Sequence, residues 1–98
     1  MANILTVTEA ANVLRCSEDD AVMLDLLPSV DGYIKIASGR DWAADNPVRP
    51  EAKSAARMLL VMWHENPAMM GQGVTSLPHG LTAALVQLEA LAEELEES

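Results

Sequence analysis

Phenylalanine is absent from this sequence, and aromatic residues make up only 3% of it. A core without Phe must be filled by Ala, Leu and Val, with six methionines as flexible, polarizable filler. Cysteine is nearly absent too. Cys16 stands alone, which excludes an internal disulfide and leaves no thiolate set for structural zinc. Positive charge is scarce: six Lys and Arg face fifteen Asp and Glu, a formal charge of −9 at pH 7. Such a chain lacks the cationic surface on which general nucleic-acid or anionic-membrane binding depends, although it could surround DNA without gripping it. No apolar run approaches the roughly 18 residues of a membrane span. The opening MANILTVTEA lacks the basic-then-apolar layout of a signal peptide. The expectation is a soluble, intracellular chain.

What is present reads as one all-α domain over residues 1–98, with four main helices and a long loop before the last. In ILTVTEAANVLR, Thr6 and Glu9 have the spacing of a capping box, which starts a short first helix. SEDD, Ser17 to Asp20, opens the second, with Ser17 as N-cap and the acids in the first turn. Met23, Leu26, Leu27, Val30, Tyr33, Ile34 and Ala37 then form an apolar stripe. Pro28 kinks or divides this helix; the stripe continues in phase beyond it, which favours one kinked helix ended by Gly39. A loop, GRDWAADNPVRP, leads to Pro50 at the head of a third helix running from about Glu51 to Asn66. Ala52, Ala55, Ala56, Leu59, Leu60, Met62 and Trp63 are too many for a narrow stripe, so this helix is central. Pro67 to Gly80 reads as an exposed loop. Leu81, Leu85, Leu88, Ala92 and Leu95 mark the last helix, which ends in an acidic extension over residues 88–98. Leu27, Tyr33, Leu59, Trp63 and Leu85 are the expected core anchors.

Chemistry is harder to find. His64-Glu65 would begin a helical zinc-protease motif only with a second histidine at position 68, where Ala68 stands behind the helix-breaking Pro67. His79, in the loop, is the only other histidine. SEDD lacks the alternating acids, Gly and distant Glu of a calcium loop. Cys16 precedes a helix N-terminus, which could lower its pKa, but has no histidine nearby in sequence. Gly71-Gln72-Gly73 lacks the flanking strand and helix of a phosphate loop. No catalytic residue, metal ligand or cofactor site is expected.

Charge segregation offers more. Every basic residue lies between Arg15 and Arg57, whereas Glu89, Glu93, Glu94, Glu96 and Glu97 crowd the end. Arg49, Lys53 and Arg57, at spacings of four, form a basic stripe on the third helix. Each charged face is either simply solvated or part of a contact between copies. In the second case, Arg49, Lys53 and Arg57 of one copy meet Glu89, Glu93 and Glu94 of the next, head to tail, a geometry that closes into rings.

The order of motifs resembles the head–tail connector (adaptor) family of tailed phages. The matching stretches are ILTVTEAANVLR, the acidic SEDD start to a helix continuing as VDGYIKIASGR, the LLVMWHEN end of the third helix, and LPHGLTAAL leading into the last. Together they span roughly Ile4 to Leu88. His64 stands where the family commonly has Tyr, Pro67 where charged residues are usual, and the acidic extension after Leu88 matches no family motif. The resemblance implies an all-α structural protomer of the virion, assembled in the host cytoplasm into a ring of about twelve copies. That ring would join the portal protein to a head-closure or tail protein, with DNA passing through its lumen without sequence-specific binding. The competing reading is a small acidic helical interaction module, a regulatory adaptor whose last helix pairs with a partner. A DNA mimic would spread its carboxylates along a face, whereas here they crowd one terminus. An enzyme ranks last.

Overall fold

A computed structural model describes residues 3–45, 47–65 and 79–97. Its elements are four α-helices and a single 3₁₀ turn, with no strand among the described residues. Helix α1 is Val7–Leu14, α2 Ala21–Ser38, α3 Pro50–Glu65 and α4 His79–Glu97; the 3₁₀ turn is Trp42–Ala44. The chain is an all-α bundle.

Thr6 caps α1 as its spacing predicts. Its hydroxyl accepts the Glu9 N–H at 3.0 Å, and the Glu9 carboxylate accepts the Thr6 N–H at 3.0 Å. Two otherwise orphaned donors are thereby satisfied. Helix α1 ends at Arg15, held in the left-handed region at φ 56°.

The start of α2 departs from expectation. Ser17 does not cap it; Asp20 does, accepting the Met23 N–H at 3.0 Å. Ser17 instead donates to Asp19, and Glu18 accepts the Thr8 hydroxyl at 3.1 Å, which ties this turn back to α1. Capping from Asp20 lets the helix begin just before Met23, the first residue of the apolar stripe and fully buried. The acids therefore precede the helix rather than fill its first turn. Pro28 lies inside one continuous helix, on the exposed side. Met23, Leu26, Leu27, Val30 and Ile34 are buried on either side of it, with Tyr33 and Ala37 partly so. Gly39 takes the left-handed cap at φ 82°, where a side chain would be strained.

Beyond Gly39 the expected plain loop contains a core residue. Trp42 is 1% exposed. Its indole N–H donates to the Ser38 hydroxyl at 2.8 Å, and that hydroxyl donates to the Ile34 carbonyl at 2.6 Å. Arg40 covers the ring at 5.2 Å from its centroid and pairs with Asp45 at 2.5 Å.

Pro50 opens α3, where the missing N–H costs nothing. Ala52, Ala55, Ala56, Leu59, Leu60, Met62 and Trp63 are all buried, as a central helix requires. Trp63 meets Tyr33 edge-on, ring centroids 5.4 Å apart. Asn66 and the loop residues up to position 78 lie outside the described residues. Helix α4 begins at His79, earlier than expected, so the His79 backbone is helical rather than part of the loop. The first turn of a helix needs no upstream carbonyl partners, which lets a His-Gly pair begin it. Leu81, Leu85, Leu88 and Ala92 are buried, and Leu95 partly so. The acidic extension is the continuation of α4 through Glu97, not a tail apart from it. Helices α2, α3 and α4 pack on one another, and α1 lies across α3 and α2.

Candidate interaction surface

The groups with potential chemistry do not converge. His64 sits half-buried in the last turn of α3. Among the described residues no three His, Cys, Asp or Glu side chains gather where they could hold a metal ion. Cys16 lies with its sulfur 3.7 Å from that of Met23. Desolvation, reinforced by Asp20, pushes its thiol above the usual range, the reverse of an activated nucleophile. No helix among the described residues is long and apolar enough to cross a membrane.

The basic stripe on α3 proves to be half occupied. Lys53 reaches Glu9 Oε1, and the Arg57 guanidinium approaches Glu9 Oε2 at 3.8 Å. Glu9 thus serves two ends, closing the cap of α1 and clamping α1 to α3. The Lys53 hydrogen bond, followed by that from the Thr6 amide, holds its carboxyl below the usual carboxylate range. Arg49 lies just before α3 rather than on it, because the helix starts at Pro50, and it pairs loosely with Glu51 in the first turn at 4.0 Å. The side chains of Arg49 and Arg57 remain 40% and 45% exposed. They, rather than Lys53, carry what the stripe offers outward.

The acids of α4 divide by face. Glu89 and Glu93, joined by Glu96, border a hollow of about 290 Å³ beside the C-terminal end of α2. A smaller hollow of about 150 Å³ continues past Val86. Glu94 is exposed and borders neither. Among the described residues, no ion pair joins Arg49, Lys53 or Arg57 to Glu89, Glu93 or Glu94.

No family model, curated protein or solved structure matches this chain. Its surface is therefore read from its own chemistry. Two apolar side chains stand in the open beside the hollows, Ile36 at 86% exposed and Val86 at 63%. Reading the sequence by its buried stripes passes over both, because each falls just outside the stripe of its helix. The available signal is local: Ile36 stands outside the stripe beside Lys35, and Val86 heads a line of glutamates.

Proposed function

We propose that this chain is the protomer of a phage head–tail connector, a structural ring beneath the portal through which DNA passes to the tail. The reading rests on the ordered set of motifs from ILTVTEAANVLR to LPHGLTAAL. Three features of the fold support it. The Thr6–Glu9 motif is a working cap, the LLVMWHE stretch ends the central helix, and the HGL stretch begins α4. A charge of −9 suits a conduit that lets a polyanion slide rather than stick. In such a ring Arg49 and Arg57 of one copy face Glu94 and its neighbours on the next, a heterologous contact.

Native mass spectrometry of the purified protein, across concentration and salt, tests the reading first. A closed oligomer near about twelve copies supports it, and exchanging Arg49 and Arg57 for Glu should then dismantle the ring. A chain that stays monomeric even when mixed with a portal ring would sink it. A second reading, the acidic helical interaction module, is favoured by the open groove beside Ile36 and Val86, and a stable dimer would shift weight to it.

A further inference from the structure

We infer that the groove between the C-terminal end of α2 and the outer face of α4 docks an apolar, basic helical segment of a protein other than this chain. Ile36 and Val86 stand at its apolar edge, 86% and 63% exposed, with little packed against them among the described residues. Ala37 borders both hollows and joins them into one groove. Val86, Glu89, Glu93 and Glu96 follow one another at spacings of three and four, a single line along α4. The groove therefore has a floor of Ala37, Leu85 and Ala92, an apolar rim at Ile36 and Val86, and an acidic wall.

Nothing in the groove offsets that charge. No Lys or Arg lines either hollow. The carbonyl end of α2, at Ser38 and Gly39, opens onto the larger one; Lys35, the basic residue of that last turn, does not line it. The last turn of α4 contains no basic residue, so its carbonyl end and its glutamates repel each other. A cation placed here would relieve charges that the fold has left opposed.

A second copy is poorly equipped to provide it. Of its six basic side chains, Arg40 is held by Asp45 and Lys53 by Glu9, while Arg49 and Arg57, the two half-exposed ones of the stripe, face Glu94 rather than the groove in the ring proposed above. The copy as a whole brings a further charge of −9. A foreign helix with a short apolar stripe flanked by Lys or Arg fits both floor and wall, in the helix-in-groove manner. This inference stands whether or not the chain forms a ring.

The test uses the full chain and a fluorescein-labelled amphipathic peptide of Leu and Lys, followed by anisotropy. A peptide of equal charge with Ser in place of Leu is the control. The Leu-Lys peptide should bind, and the double variant Ile36→Ser, Val86→Ser should weaken it about tenfold or more, with no such effect on the Ser-Lys peptide. The triple variant Glu89→Gln, Glu93→Gln, Glu96→Gln should weaken binding by a comparable factor. The equally charged variant Asp19→Asn, Asp25→Asn, Glu65→Gln, altered outside the groove, should not. All these positions are exposed, and circular dichroism checks that each variant folds. Equal loss from both charge variants, or no loss from the apolar one, would reduce the effect to general attraction and overturn the inference. So would a wild-type oligomer that the Ile36→Ser, Val86→Ser variant takes apart, because the occupant would then be a second copy.

Discussion

Asp31 is the residue whose surroundings oppose its ordinary charge state. It is half-buried on α2, where its carboxylate accepts the Ile4 N–H at 3.2 Å. Desolvation, with Asp41 adding repulsion, raises its pKa from 3.8 to about 6 despite that hydrogen bond. The folded state thus binds this proton more tightly than the unfolded chain and carries a penalty wherever the carboxylate is ionised. The penalty is absent below the unfolded pKa near 3.8 and fully developed above about 6. Replacing Asp31 by Asn keeps an acceptor for Ile4 and removes the charge. Thermal melts of Asp31→Asn at pH 7 should show a gain of roughly 1–2 kcal/mol after discounting for solvent screening, and no gain at pH 3.5. Trp63 makes the opposite case. Its ring was legible in the sequence as the anchor at the end of an apolar run, and it is buried against Tyr33. Truncation to Ala should cost roughly 3–5 kcal/mol, read from the denaturant midpoint. Trp42 was not legible, because it belongs to no periodic pattern. Its burial depends on a hydroxyl at Ser38, and only the side chain of a folded α2 places that acceptor.

At the scale of elements, apolar spacing was the main signal for α2, α3 and α4, since a stripe over several turns marks a face that must be buried against something. Cap chemistry was legible where two residues had to cooperate, as Thr6 and Glu9 do. It failed where several good caps stand in a row. Ser17 and Asp20 are chemically equivalent as N-caps, and the choice falls to whichever residue lets Met23 enter the core. Of the expected basic stripe, Lys53 and Arg57 lie on α3 and Arg49 just before it; the partner Glu9 lies 44 residues from Lys53, a pairing that no local pattern encodes. That pairing makes α1 dependent on one carboxylate. Because its folded pKa is lowered, the stabilisation from Glu9 is present above the unfolded pKa of about 4.5 and disappears as pH falls through the folded value. Glu9→Gln should lower stability at pH 7 by about 1–2 kcal/mol and flatten the loss on acidification, measured by urea unfolding between pH 7 and 3. Together with Asp31, this predicts that acidification from pH 7 first strengthens the fold and then weakens it.

The molecule as a whole is a thin slab, 40 × 31 × 17 Å, carrying a charge of −9. Repulsion within so small a body is long-ranged at low salt and largely screened once the Debye length falls to about 8 Å near physiological ionic strength. The four ion pairs among the described residues are partly exposed, so each contributes little and their screening costs little. The melting temperature at pH 7 should therefore rise between about 10 mM and 150 mM salt, and a fall would mean that the ion pairs dominate. The same sensitivity makes salt a sound variable for any assembly assay. The meeting of Tyr33 and Trp63 has a consequence for such experiments. Tyr33 is the only tyrosine in the chain, and it stands 5.4 Å from an indole. Light absorbed by that phenol should pass largely to the tryptophan, so tyrosine emission from the folded protein is expected to be weak. Phenol fluorescence would rise when α2 and α3 part, which gives the chain an intrinsic optical gauge of its central helix pair, without a label.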